Sequence, residues 1–176
     1  MAIKRINYDA SLKYYLKDNN GYERKQCHVN TFQKFYDFNY EEVEKNEDAF
    51  KYVVGLFIGN DGDKPICYIH SWVEKNNEVI DVTPFANVFI TNENQLNGDE
   101  YEEFVRQVSS ARYMPIKTIS NKNFNKELNT RFRGSGYTQR PESVVESMVR
   151  EWINEAEQDP RVKYQIENFG LTFIRD

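Results

Sequence analysis

Three side chains that together can activate a thiol occur in the order Cys27, His70 and Asp81. A cysteine attacks as its thiolate, a neighbouring histidine can take the thiol proton, and a carboxylate can hold the imidazole in a productive orientation. The histidine and the aspartate lie in adjacent stretches rich in strand-forming residues, well downstream of the cysteine. The residue types and their order predict thiol-dependent acyl chemistry.

A helix is predicted to position the thiol. It begins at Cys27 and extends to about residue 38, because apolar side chains recur at helical spacing after the cysteine, namely Val29, Phe32, Phe35 and Tyr36. A thiol at the start of a helix lies near the positive end of the helix dipole, which favours the thiolate. We therefore expect Cys27 to have a lowered pKa and to react faster than Cys67.

Strands are predicted to position the other two groups. Three consecutive strands, at 52–58, 66–73 and 79–82, are separated by short turns and should form an antiparallel meander. Cross-strand neighbours lie within about 5 Å of each other, which lets Asp81 on the third strand approach His70 on the second. A helix packed on that face of the sheet would bring Cys27 to the histidine.

The same patterns predict the remaining elements. Further helices are expected at 8–18, at 99–111 and from Pro141 onward, the last with a capping box formed by Ser143 and Glu146. Further strands are expected at 114–119, 163–166 and 170–174. Together they predict an α+β fold in a single domain, 1–176, with a site-bearing core at about 20–90 that 99–176 completes.

The site pattern resembles a known group. A cysteine at a helix start, a strand histidine followed by Trp72, and a strand leading into Asp81 and Thr83 resemble the papain-like and transglutaminase-like thiol enzyme superfamily, including small bacterial and phage members. The resemblance covers roughly residues 20–85. It implies a papain-like core, in which the helix bearing the cysteine packs on an antiparallel sheet. It also implies that Cys27 is the nucleophile, His70 the base and Asp81 the group that orients it.

The activity that the resemblance implies is that of a cysteine hydrolase or acyltransferase. Such an enzyme acts on an amide or isopeptide bond of a protein or peptide substrate, through a thioester and without a cofactor. The outcome is hydrolysis, deamidation or transfer of the acyl group. The better-known members carry an oxyanion-hole glutamine one turn before the cysteine, whereas here Gln26 is directly adjacent to it. The candidates for oxyanion or substrate binding are Gln26, Asn30 and Trp72.

Two other interpretations compete with the enzyme. Cys27, His28, Cys67 and His70 supply the four nitrogen and sulfur ligands of a structural zinc site, but residues 67 and 70 point to opposite faces of one strand, so no metal is expected. The protein could instead be a small binding inhibitor or effector, of a kind that phages encode, which keeps the fold without catalysis. A basic and aromatic loop at 131–137 could then grip a phosphate or an acidic partner, or could simply be a solvated surface loop.

The net charge and the amino-acid composition argue against several classes of function. The net charge is −5 and no long basic stripe offsets it, which disfavours nucleic-acid binding. The apolar runs are too short to cross a membrane, and residues 1–5 lack the pattern of a secretory signal, so a cytoplasmic protein is expected. Two cysteines in that compartment do not indicate a disulfide framework.

Overall fold

The computed structural model describes residues 3–17, 26–32, 35, 50–89, 97–134, 136 and 141–175, and these form an α+β fold as predicted. The strands are β1 Phe50–Asp61, β2 Lys64–Lys75, β3 Glu78–Ile80, β4 Arg112–Ser120 and β5 Thr172–Phe173. The helices are α1 Tyr8–Lys17, α2 at 27–32, α3 Thr83–Phe89, α4 Gly98–Ser110, α5 Asn121–Gly134, α6 Pro141–Glu157 and α7 Pro160–Phe169. Within this part of the chain, no helix combines the length and the apolar character that crossing a bilayer requires.

One sheet organises the fold. Its main path is β3-β2-β1-β4, in which every pair of neighbours is antiparallel, so the predicted meander of the first three strands is confirmed. The short strand β5 pairs with β2 in parallel. The helices predicted at 8–18 and 99–111 and the strand predicted at 114–119 are also confirmed, with ends that differ by one or two residues.

The strands that pair with one edge of β2 leave a gap along it, and the candidate site lies at this gap. β1 runs along the whole of one edge of β2, so β3 and β5 share the other. β3 covers residues 73–75 and β5 covers residues 66 and 67, which leaves 68–72 with neither strand. The start of α2 lies at this gap, where the Thr31 hydroxyl donates a 2.7 Å hydrogen bond to the carbonyl of Ser71. A backbone acceptor on the part of the β2 edge that neither β3 nor β5 covers therefore anchors the helix that carries Cys27.

Both faces of the sheet are covered by packed apolar side chains. On one face, Tyr52, Leu56 and Ile69 pack with residues of α5 and α6, including Trp152. On the other face, Val53, Trp72 and Tyr113 pack with residues of α1, α3 and α4. Because strand side chains alternate, successive residues of β2 enter different cores. The edge of β2 is thus the place where a helix can meet groups from both faces.

Three expectations about the C-terminal half are wrong. Residues 163–166 are not a strand but part of α7, which begins with an Asp159 N-cap and Pro160 and ends at Gly170 in a left-handed conformation. These local start and stop signals, with the buried Val162 and half-buried Ile166 four residues apart, outweigh the β-like composition.

The capping box is also absent from its predicted place. α6 begins at Pro141, so Ser143 is the third residue of the helix and does not cap it. A capping box occurs instead at α4, between Asn97 and Glu100.

The predicted basic loop is mostly helical. Residues 131–134 form the end of α5, and the Arg131 guanidinium is paired with Glu127 at 2.8 Å and with Glu151 at 2.7 Å. Its charge is therefore already balanced within the protein, which removes the main argument for an anion site there. Residues 135 and 137–140 lie outside the described residues.

Candidate active site

A buried histidine–carboxylate pair forms one half of the site. His70 lies in the middle of β2, and Asp81 follows β3 by one residue rather than lying within it. The Nε2 atom of His70 and Oδ2 of Asp81 are 2.6 Å apart, and both side chains are almost completely buried. The expectation that the two groups would meet across neighbouring strands therefore agrees with the geometry, although Asp81 is reached just past the strand end.

Hydrogen bonds fix the carboxylate of Asp81. The Tyr113 hydroxyl donates to Oδ2 at 2.9 Å, and the backbone N–H of Thr83 donates to Oδ1 at 3.0 Å. The backbone N–H of Asp81 itself donates to the Ser11 hydroxyl at 3.1 Å. Tyr113 comes from β4 and Ser11 from α1, so two segments distant in sequence hold the side chain and the backbone of Asp81. Such support keeps the carboxylate oriented toward the histidine.

Cys27 interacts with this pair from the start of α2. Its side chain is buried, and it interacts electrostatically with the rings of both His70 and His28. Burial alone would raise the pKa of the thiol, but the charges of His70 and then of His28 outweigh it and lower the pKa to about 6. The structure thus brings Cys27, His70 and Asp81 together.

His70 holds a proton over the pH range in which the thiol has lost its own. Burial disfavours the imidazolium, but the adjacent charges of Asp81 and Cys27 raise the pKa of His70 to about 10. Between these two values the stable form is a thiolate paired with an imidazolium. Nε2 faces the carboxylate, so Nδ1 is the nitrogen left to exchange a proton with sulfur. His70 Nδ1 is buried and has no hydrogen-bond partner among the described residues.

A second histidine contacts the same thiol, and the sequence predicted no catalytic role for it. His28 Nδ1 lies 2.8 Å from the Ser71 hydroxyl oxygen, which in turn accepts a 3.2 Å hydrogen bond from the Tyr52 hydroxyl. The one sequence signal is the adjacency of His28 to Cys27, which suggested a zinc ligand rather than a base. Neighbours on a helix diverge by about 100°, yet a thiol at the sheet edge contacts the ring that follows it.

The thiol and the imidazole open onto a cleft. This cleft has a volume of about 460 Å³, and its wall includes both Cys27 and His70. The rest of the wall comes from the β1–β2 hairpin, α3 and the C-terminal segment, and includes Asn60, Asp61, Ile66, Tyr68, Thr83, Asn87 and Ile174. The hydroxyl of Thr83 is buried and has no hydrogen-bond partner among the described residues. A molecule that enters this cleft therefore meets Cys27 and His70 in its wall, where each exposes at most 4% of its surface.

Comparisons with family models, with curated proteins and with solved structures find no match to this chain. The resemblance to papain-like and transglutaminase-like enzymes therefore stays a prediction. The function has to be inferred from the geometry and the protonation states of the site itself.

The other predicted binding residues lie in different surroundings. Gln26 is exposed and lines a separate groove beside His28. Asn30 and Trp72 are fully buried, and the Trp72 indole N–H donates to Glu74 at 3.4 Å. Their role in oxyanion or substrate binding stays a prediction.

The second cysteine differs from the first in every relevant respect. Cys67 points into the core on the face of β2 opposite His70, and burial raises its pKa to about 11. In the described part of the chain, no three His, Cys, Asp or Glu side chains are grouped so as to hold a metal ion.

The two thiols are expected to alkylate at very different rates. At pH 7 iodoacetamide should modify Cys27 faster than Cys67 by on the order of 10- to 100-fold, because the thiolate advantage exceeds the lower nucleophilicity of an acidic thiol. The Cys27 rate should fall as the pH drops through about 6, where the thiolate is protonated. Mass spectrometry of partially alkylated protein across a pH series measures both rates. Equal rates, or a Cys27 rate still rising at pH 8.5, would contradict the assigned ion pair.

Proposed function

We propose that this protein is a thiol-dependent enzyme that hydrolyses, deamidates or transfers an amide or isopeptide bond of a protein or peptide substrate. The observation that carries the proposal is the contact of Cys27 with His70, which is itself bound to Asp81 at 2.6 Å in the wall of an open cleft. Nucleophile, base and orienting carboxylate are the parts that covalent acyl chemistry requires.

The first half-reaction follows from the protonation states. The Cys27 thiolate attacks the carbonyl carbon of the substrate, and the carbonyl electrons move to oxygen. When the tetrahedral intermediate collapses, the carbon–nitrogen bond breaks and the His70 imidazolium donates its Nδ1 proton to the leaving amine. Asp81 stabilises the imidazolium until that transfer and keeps the ring in place. The product is a thioester on Cys27 and a neutral His70.

The cleft walls suit an amide-containing substrate. Asn60, Asn87 and Thr83 carry neutral polar side chains, and Tyr68 supplies an aromatic surface that stacks on Phe57 with ring centroids 4.8 Å apart. Carboxamides and hydroxyls can pair with the N–H and C=O groups of a peptide bond. Aromatic surface next to a few polar groups is also typical of small ligand clefts.

Trapping the thioester tests the proposal. Wild type, Cys27→Ala and Cys67→Ala are incubated with cytosolic extract and a biotinylated primary amine, and acid-quenched samples are analysed by mass spectrometry. We expect acyl adducts on the Cys27 peptide, and amine-labelled or deamidated partners, with wild type and Cys67→Ala only. The Cys67→Ala variant controls for loss of a buried thiol. Equal products from wild type and Cys27→Ala would contradict the enzyme and favour a protein that acts by binding alone.

A further inference from the structure

Cys27 lies between two imidazole rings that are held in different ways. His70 is fixed by the carboxylate of Asp81, whereas His28 is fixed by the hydroxyl of Ser71, with Tyr52 behind it. Both rings interact with the same sulfur. A triad needs one imidazole, and the charge of His28 alone accounts for its effect on the thiol, so the hydroxyl that orients the second ring calls for a further role.

The interrupted sheet edge makes this arrangement possible. His70 and Ser71 are successive residues of β2, so their side chains leave opposite faces of the sheet. The ring of His70 packs against Trp72 and Tyr113 on one face, while Ser71 bonds to Tyr52 on the other. Because α2 begins at the unpaired part of the edge, its first two side chains reach the groups of both faces.

The two imidazoles also face different cavities. His70 is 1% exposed and lines the cleft that contains Cys27. His28 is half-buried and lines a groove of about 430 Å³ between α2 and α6, together with Val29, Phe32 and Val149. The described lining residues of the two cavities are all different. Small molecules therefore have a route to His28 that does not pass through the cleft.

We propose that His28 is the catalytic base of the second half-reaction, in which water or a primary amine attacks the Cys27 thioester. This inference rests on the proposed function. Once the acyl group is attached to sulfur it occupies the cleft, which is where His70 is reached. The half-buried ring of His28 interacts with the same sulfur and also lines the groove, through which the incoming nucleophile can reach the ring. Ser71 is then a positioning residue, because its hydroxyl holds Nδ1 of the ring.

In the second half-reaction the proton returns to His70 through the sulfur of Cys27. The nucleophile forms a bond to the thioester carbon and gives its proton to the ring of His28. Collapse of the intermediate breaks the carbon–sulfur bond, and the electron pair returns to sulfur as thiolate. The His28 imidazolium passes its proton to Sγ, and Sγ passes it on to His70 Nδ1. This restores the thiolate and the His70 imidazolium with which the cycle began.

Burst kinetics with p-nitrophenyl acetate separate the two half-reactions. Nitrophenol released in the first turnover reports acylation of Cys27, and the steady state reports deacylation. For His28→Asn we expect the burst amplitude to remain at one per thiol while the steady-state rate falls about 10²-fold, the usual effect of losing a general base. The acetyl group should accumulate on the Cys27 peptide. Ser71→Ala should show the same pattern with a smaller loss.

Chemical rescue distinguishes catalysis from a structural role. Free imidazole can enter the groove of His28→Asn and should restore turnover, after subtraction of the background measured with Cys27→Ala. The assay is run in water and with added glycine methyl ester, which shows whether water or an amine is the nucleophile that depends on His28. Two results overturn the proposed role of His28 but leave the proposed function intact. One is a normal burst with unchanged turnover in His28→Asn, and the other is a loss of turnover that imidazole does not rescue. A wild type that releases nitrophenol no faster than Cys27→Ala, in the burst and in the steady state alike, overturns the proposed function, and this inference with it.

Discussion

Replacing His70 with alanine is expected to lower turnover at pH 7 by about 10³-fold or more. Two losses combine. Burial of Cys27 already disfavours its thiolate, and the charge of His70 is the largest effect that opposes burial, so without it the pKa of the thiol rises. The leaving amine also loses its proton donor, which by itself costs about 10²- to 10⁴-fold. Steady-state rates of wild type and His70→Ala on an amide substrate found by trapping measure the effect.

The pH dependence separates these two losses. Alkylation of Cys27 in His70→Ala needs only the thiolate, so its rate should recover as the pH rises toward 9.5. Turnover of an amide also needs the missing acid and should recover much less. Cys67→Ala, which removes a thiol on the other face of β2, should match wild type in both assays. A turnover loss below about tenfold, or full recovery of amide turnover at high pH, would show that His70 is not the acid that we assign.

Local sequence signals located most of the framework of the site. The meander of β1, β2 and β3 was predictable because each strand has a core rich in apolar, strand-forming residues and is bounded by turn residues. The helix start at Cys27 was predictable from the apolar spacing after it, although much of 33–38 lies outside the described residues. These two elements already placed a thiol, an imidazole and a carboxylate near one another.

The parts of the site that the sequence did not predict depend on contacts between segments that are distant in the sequence. Tyr113 reaches Asp81 only because β4 pairs with β1, a pairing between segments more than 50 residues apart that no local pattern encodes. The position of His28 depends on the gap that β3 and β5 leave along β2, and β5 comes from the C-terminal segment. Single-strand patterns do not show which edges remain unpaired, so the second imidazole could not be recognised from its spacing.

Replacing Asp81 with asparagine is expected to lower turnover about 10²- to 10⁴-fold while the fold is retained. Asparagine keeps the size of the side chain and can still accept from Tyr113, but it removes the charge that stabilises the His70 imidazolium. The ring is then free to adopt a tautomer that cannot exchange a proton with the thiol. Rates of wild type and Asp81→Asn, with Tyr113→Phe as a variant that keeps the carboxylate, measure the effect. A turnover loss in Tyr113→Phe equal to that in Asp81→Asn would show that the hydrogen bond from Tyr113 to the carboxylate, rather than the charge, is what matters.

The same substitution should destabilise the protein in a pH-dependent way. Breaking a buried charge pair costs roughly 3–5 kcal/mol, and here the pair exists only while His70 is protonated. The pKa of His70 is raised to about 10 in the folded protein, against about 6.5 for an ordinary histidine. The stabilisation is therefore complete below about pH 6.5 and is lost as the pH rises through 10. Urea unfolding of wild type and Asp81→Asn at pH 6.5 and 10.5 should show a large difference at the lower pH and a small one at the higher. A difference that does not change with pH would mean that the folded protein does not hold His70 as an imidazolium.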